Sequence, residues 1–170
     1  FLATLAAAGA RPEEVDFVMC THLHWDHVGW NTRLVDGRWV PTFPNARYVI
    51  ARREYEHMDA LHARGDRDMR VAAFVDSVQP IVRAECALLV DDGYQLEDGV
   101  WLEPCPGHTP GNVVINLRSQ GRQGVFPGTY CTRRCNSRGR SGRVAPATIP
   151  RRRAPRAAAS RSGTRTRATS

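Results

Sequence analysis

The chain contains no lysine, so arginine supplies all 24 of its basic side chains. It has no uninterrupted apolar run of about 18 residues, which excludes a transmembrane helix. No basic residue precedes the apolar stretch at the N-terminus, and Arg11, Pro12 and Glu13 follow it, which is not the pattern of a secretory signal peptide. We instead expect this stretch to form a short helix, Leu2 to Ala8, that ends at Gly9.

Cysteine is present in an odd number and in no recognisable pattern. The five cysteines are scattered along the chain, and no secretory signal accompanies them. The sequence therefore predicts no disulfide framework, a reducing compartment and a cytoplasmic location. Cys131 and Cys135 lie four residues apart, but no second pair of cysteines or histidines follows them to complete a zinc site.

Acidic residues are absent from the last quarter of the chain. Residues 1–128 hold 12 arginines and all 17 acidic residues, a net charge of −5, whereas residues 129–170 hold the other 12 arginines, a net charge of +12. The second segment consists almost wholly of Arg, Ala, Ser, Thr, Pro and Gly and has no apolar periodicity from which a core could form. We therefore predict a folded domain over 1–128 and a disordered basic tail over 129–170.

The composition of this tail is also what GC-rich DNA encodes when it is read out of frame. If Thr129 to Thr132 are written ACG TAC TGC ACN after a Gly128 codon that ends in G, a shift by one base gives codons for Asp-Val-Leu-His. We therefore predict that the tail is out-of-frame translation. The competing interpretation is a nucleic-acid-binding arm. We rank it last because Tyr130 is the one aromatic residue available for stacking on bases.

The body of the chain mixes predicted strands and helices. Residues 15–20 and 46–51 are compact β-rich runs and are predicted to be strands, whereas 52–65 and 68–82 have helical patterns. The residues after the histidine-rich stretch at 21–30 are predicted to form a polar loop with a turn at Asp36 and Gly37. Further strands are predicted at 87–91, 94–97, 100–105, 111–117 and 123–128. This mixture indicates a layered α/β or α+β domain.

Four metal-binding side chains lie within six positions directly after the first predicted strand: His22, His24, Asp26 and His27. Imidazole and carboxylate groups are common ligands of zinc and similar ions. Positions i and i+2 of an extended segment point to the same side, so His22 and His24 can share one ion. If a turn follows, Asp26 and His27 can face a second ion. The stretch therefore predicts two ions that share an activated water.

A further candidate ligand, His108, lies in the glycine- and proline-rich loop PCPGHTPGN between two predicted strands. A histidine held at such a turn can be the third ligand of the first ion. His57 and His62 lie on a predicted helix and are interpreted as ordinary polar residues.

The stretch THLHWDH resembles the His-x-His-x-Asp-His signature of the metallo-β-lactamase superfamily, and PGHTPGN resembles the second metal motif of that family. The third motif of the family is a strand that ends in Gly-Asp, and this Asp bridges the two ions. The strand GVFPG ends where that strand should end, but the next residue is Thr129. The shifted reading frame places an Asp there, so one cause explains both the tail and the missing ligand.

The resemblance covers residues 1–128 and implies an α/β fold, the αββα sandwich of the family. We expect the sandwich to be incomplete, without its N-terminal strands and its C-terminal half. The chain does not start with methionine, and no histidine follows His108 to provide a late metal ligand of the family.

The resemblance also implies ligand roles. His22, His24 and His108 would hold the first Zn²⁺ ion, and Asp26 and His27 would hold the second, with other divalent metals possible. A bridging hydroxide would be the nucleophile, and Asp26, the expected catalytic residue, would orient it.

The sequence THLHWDHVGWNT…PTFPNARYV is similar to the sequences of N-acyl-homoserine lactonases and related hydrolases, one branch of this superfamily. The resemblance implies a metal-dependent hydrolase of a small lactone or ester, impaired in this chain, with neither a nucleic-acid nor a membrane partner. A thioesterase, a phosphotriesterase and an inactive fragment remain alternatives, because the metal motifs do not identify the substrate loops. The sequence predicts no particular oligomeric state.

Overall fold

The computed structural model describes residues 1–129. Nearly all of the predicted basic tail, residues 130–170, lies outside the described residues, so its predicted disorder stays a prediction. The described helices are α1 (Leu2–Ala7), α2 (Trp25–Val28), α3 (Arg52–Ala63), α4 (Met69–Ser77) and α5 (Gln79–Arg83), with a 3-10 turn at Pro12–Glu14. Over residues 1–129, none of these helices has the length and apolar character needed to cross a membrane.

The strands form two sheets and a separate hairpin. They are β1 (Phe17–Met19), β2 (Thr32–Val35), β3 (Arg38–Pro41), β4 (Arg47–Ala51), β5 (Ala87–Val90), β6 (Gln95–Glu97), β7 (Val100–Pro104), β8 (Val113–Ser119) and β9 (Arg122–Phe126). Parallel strands in the order β1-β4-β5 form the first sheet, and antiparallel strands in the order β6-β7-β8-β9 form the second. Strands β2 and β3 pair with each other as an antiparallel hairpin.

The core lies on both faces of the parallel sheet. Towards the antiparallel sheet, Val49 and Val90 pack in one cluster with Leu102 and Ile115. Towards the helices, residues of β4, α3 and α4 share a second cluster: Ile50, Met58, Leu61, Val71 and Phe74. The central strand β4 is therefore apolar on both faces, as expected for a parallel strand covered on both sides. Helices, parallel sheet and antiparallel sheet form three successive layers, α, β and β, of the expected αββα sandwich.

Most of the predicted elements are present. The strand predicted at 46–51 is β4, the helix predicted at 52–65 is α3, and the N-terminal helix ends just before Gly9, whose φ is 79°. The helical pattern at 68–82 is two helices, because Pro80 at the start of α5 has no N–H to continue the backbone ladder of α4.

The prediction of a polar loop after the histidine-rich stretch is wrong for residues 32–41. These residues form the β2–β3 hairpin, and the predicted turn lies at its tip, with positive φ at Asp36 and Gly37. The sequence contains a signal for this hairpin, since Asp36-Gly37 between two β-rich segments is a typical two-residue hairpin turn, although Leu34, Val35 and Trp39 are exposed.

Two of the cysteines, Cys20 and Cys86, are free thiols. Cys131 and Cys135 lie outside the described residues.

Candidate metal centre

The first histidine motif occupies the connection between β1 and α2. His24 is the N-cap of α2 and has extended backbone angles, φ −75° and ψ 156°. Leu23, between the two histidines, is fully buried in the core cluster beneath the helices. Because side chains of an extended segment alternate, the burial of Leu23 directs His22 and His24 together to the opposite side.

Three imidazoles converge at this edge of the two sheets. The loop between β7 and β8 places His108 beside the first motif, and the metal-binding atoms of His22, His24 and His108 all lie within 4.8 Å of one another. The ring centroids are 4.7 Å apart for His22 and His24, 4.7 Å for His22 and His108, and 4.6 Å for His24 and His108. His22 is buried, His24 is half-buried and His108 is exposed, so the cluster opens to solvent on one side.

The donor atoms of this cluster fit a single divalent metal ion. Nε2 of His22 is buried and has no hydrogen-bond partner, which is costly for a polar atom unless another ligand satisfies it. Nδ1 of His24 and Nε2 of His108 lie 2.9 Å apart. Zinc–nitrogen bonds of about 2.0–2.1 Å in a tetrahedral arrangement place ligand nitrogens about 3.3 Å apart. Three imidazoles around one point therefore need only a small adjustment to share an ion and leave its fourth position open.

Burial keeps the first two histidines in the metal-binding protonation state. Loss of hydration, and after it the nearby imidazoles of His27, His24 and His108, together lower the pKa of His22 to about 3. The pKa of His24 is also lowered, first by burial and then by His108. Both rings are neutral at neutral pH, so a metal ion does not have to displace a proton from either of them.

The residues predicted to hold a second ion lie on the first turn of α2. Nε2 of His27 is 3.5 Å from Oδ2 of Asp26, and its ring centroid is 4.1 Å from that of His22. Nε2 of His27 is also 3.0 Å from Oγ1 of Thr129, just beyond the end of β9. Among residues 1–129, only the group of His22, His24 and His108 brings three ligand side chains together. Asp26 and His27 are thus adjacent to the cluster but do not close a second set of three.

Two clefts are found in this part of the molecule. One, of about 310 Å³, borders His27 and is lined further by Thr21, Phe126 and Gly128. The other, of about 450 Å³, lies between α3 and α4 and includes His62 but none of the five predicted site residues. The smaller cleft is therefore the one that adjoins the histidines.

Glu54, which is not among the predicted site residues, connects the two histidine loops. Glu54 lies in the first turn of α3 and is 1% exposed. Its carboxylate accepts hydrogen bonds from Leu23 in the first loop and from Thr109 and Gly111 in the second. A signal was present, because Glu54 shares the apolar stripe of α3 with Met58 and Leu61 at positions i, i+4 and i+7. An acidic residue in such a stripe is unusual and indicates a buried partner.

Comparison with known proteins shows which family the sequence resembles. Residues 1–128 match the sequence model of the Metallo-beta-lactamase superfamily. The N-acyl homoserine lactonase AiiA of Bacillus thuringiensis subsp. kurstaki is 28% identical over 116 residues, which are 68% of this chain and 38% of that protein. The chain thus spans about two fifths of the length of this curated relative.

Solved structures show the same fold. The hydrolase AbOPH of the beta lactamase superfamily has a TM-score of 0.62 at 28% identity, over 75% of this chain and 45% of that one. The dizinc quorum-quenching lactonase AidC, in complex with its product, has a TM-score of 0.54 at 24% identity, over 73% of this chain and 44% of that one. Both matches cover less than half of the known structure.

Proposed function

Because the chain belongs to the metallo-beta-lactamase superfamily, we propose that its histidine cluster is the metal centre of a hydrolase for small lactones, and that the neutral side chain of Thr129 leaves this centre impaired. The convergence of the ring nitrogens of His22, His24 and His108 within 4.8 Å carries this proposal. The similarity to N-acyl homoserine lactonases supports a lactone substrate with an acyl chain. Zinc is the proposed metal, because three imidazoles with one open position are a typical catalytic zinc site.

In this proposal His22, His24 and His108 hold the ion. A bound zinc ion supplies a water activated at neutral pH and a positive charge that polarises the substrate carbonyl. His22 and His24 are held rigidly, since the buried Leu23 between them anchors the loop. His108 is exposed, so this side of the cluster is the side from which a substrate can approach.

Asp26 and His27 complete the proposed site. The side chain of Asp26 is 49% exposed and lies next to His27 on the open side of α2. There its carboxylate can accept a hydrogen bond from a group that carries a proton and orient that group. His27 borders the cleft of about 310 Å³ and faces Thr129. These two residues would contribute to a second ion, as the sequence analysis predicts, once a further ligand is present.

Metal binding by the chain tests the proposal directly. Purified metal-free protein is titrated with Zn²⁺ in competition with a chromophoric chelator. We expect about one tightly bound ion per chain from the three-histidine set. The His24→Ala variant should lose this binding, because two remaining imidazoles do not hold zinc tightly.

The matched control is His57→Ala, which removes a histidine of α3 that lies outside the cluster. This variant should bind zinc like the unsubstituted protein. Equal zinc affinity in the His24→Ala variant and the unsubstituted protein would place the ion elsewhere and refute the proposed centre.

A further inference from the structure

Glu54 makes three hydrogen bonds to two loops that are far apart in the sequence. Its Oε1 accepts from the backbone N–H of Leu23 at 3.1 Å. Its Oε2 accepts from the hydroxyl of Thr109 at 2.6 Å and from the backbone N–H of Gly111 at 3.0 Å. An ionised carboxylate only accepts hydrogen bonds, and it can satisfy all three donors at once. Because the whole arrangement is buried, water cannot replace any of these bonds.

Two of these partners, Leu23 and Thr109, are next to a proposed metal ligand. Leu23 lies between His22 and His24, and Thr109 directly follows His108. One loop follows a strand of the parallel sheet and the other joins two strands of the antiparallel sheet. The carboxylate of Glu54 therefore bridges two loops that come from different sheets.

The contact of Gly111 with α3 is an independent sign of this attachment. A Cβ atom added to Gly111 would lie 2.2 Å from the backbone nitrogen of Glu54 and 2.5 Å from its Cα. Such distances leave no room for any side chain. The second loop thus presses its backbone directly against the first turn of α3, where the carboxylate of Glu54 receives it.

We propose that Glu54 is a positioning residue that sets the distance between His24 and His108 before any ligand binds. The nature of the ion rests on the function proposed above, but the positioning of the two rings does not. The carboxylate of Glu54 makes its hydrogen bonds to the two loops, so it acts through them. Without it, the three donors would lie unpaired inside the protein, and the loops would separate until water reached them.

The experiment compares Glu54→Gln with Glu56→Gln in the full chain. The first change keeps the shape of the side chain, but it replaces one acceptor oxygen by an NH₂ group that cannot accept. The second change makes the same substitution at an exposed position two residues further along α3. Two-dimensional NMR of the metal-free proteins then reports the contact between the ring protons of His24 and His108, whose centroids are 4.6 Å apart.

We expect this contact in the unsubstituted protein and in Glu56→Gln, and we expect its loss in Glu54→Gln together with faster amide exchange at Leu23 and Gly111. Zinc affinity should fall by roughly ten-fold or more in Glu54→Gln only, as is common when a residue that orients metal ligands is changed. If Glu54→Gln lowers the melting temperature but keeps the ring contact and the affinity, Glu54 merely stabilises the fold and the proposal is wrong.

Two further outcomes can be distinguished from these: a lack of zinc binding in every variant, and a failure of Glu54→Gln to fold. If no variant binds zinc, the proposed metal centre fails, while the ring contact still decides the role of Glu54. If Glu54→Gln does not fold, Thr109→Val removes one of the three donors and Thr109→Ser retains its hydroxyl. Loss of the contact in the valine variant alone supports the positioning role, and retention of the contact in both refutes it.

Discussion

Oγ1 of Thr129 lies 3.0 Å from Nε2 of His27, across 102 residues of sequence. Residue 129, just beyond the end of β9, therefore lies beside His27, which would bind the proposed second ion. The family resemblance implies a bridging carboxylate at this position, and the chain has a neutral hydroxyl there instead. The backbone therefore places residue 129 beside His27 as a bridging ligand would require, but its side chain is a hydroxyl and not a carboxylate.

Replacement of Thr129 by aspartate is expected to create a second metal site. A carboxylate at this position would join Asp26 and His27 as a third ligand. We expect zinc binding, measured by metal analysis after gel filtration, to rise from about one ion per chain to about two. Thr129→Asn is the matched control, because asparagine has the same shape as aspartate but no charge. Equal zinc content in both variants would show that a carboxylate at 129 does not reach the ion.

The unsubstituted chain is expected to show negligible zinc-dependent hydrolysis of N-acyl homoserine lactones. A neutral hydroxyl at Thr129 cannot replace a bridging carboxylate, so only the three-histidine set would hold an ion firmly. Turnover is followed by chromatography of the lactone and of its ring-opened product. Robust turnover that a chelator abolishes would show that the bridging ligand is dispensable.

Acid is expected to destabilise the metal-free protein. A histidine in the unfolded chain binds its proton near pH 6.5, whereas burial lowers the pKa of folded His22 to about 3. Between these two values the unfolded state binds more protons, so the free energy of unfolding falls as the pH falls, by about 2 kcal/mol at pH 5. Urea denaturation at a series of pH values measures this change. His22→Gln should show a shallower decline, and an unchanged slope would assign the effect to other groups.

Gly111→Ala is expected to destabilise the protein strongly. The new methyl group would overlap the backbone of α3 at Glu54, so either the loop or the helix must move, at a cost of about 1–3 kcal/mol. Thermal denaturation compares this variant with Gly124→Ala, whose Cβ would meet only Leu117 at an ordinary 3.9 Å. Equal melting temperatures for the two variants would mean that the second loop is not held against α3.

The coding DNA tests the origin of the tail. We expect the bases across codons 126–136 to read Gly-Asp in the adjacent frame, because the charge changes from −5 over residues 1–128 to +12 over residues 129–170. Direct sequencing of the gene decides this point. Codons that cannot be read as Gly-Asp in that frame would make the tail a true part of the protein.

The sequence predicts those parts of the structure that depend on neighbours along the chain. The apolar run at β4 identifies a strand, and the spacing of His22 and His24 indicates that they face the same side. The β2–β3 hairpin is also marked locally, by the two-residue turn Asp36-Gly37. The apolar stripe of α3 indicates that Glu54 has a buried partner, but the partners cannot be identified locally, because they lie 31 or more residues away in the sequence and only the packed sheets bring them to it.

His24 and His108 are separated by 84 residues, and a shared ion would join them as a reversible cross-link. Such a link closes a long loop, and it removes conformational freedom from the unfolded chain much as a covalent bridge does. Global unfolding must then release the ion, so the resistance of the protein to denaturation should increase with the logarithm of the free metal concentration. A chelator would therefore lower the free energy of unfolding, because it would remove the cross-link between the two sheets as well as the ion from the site.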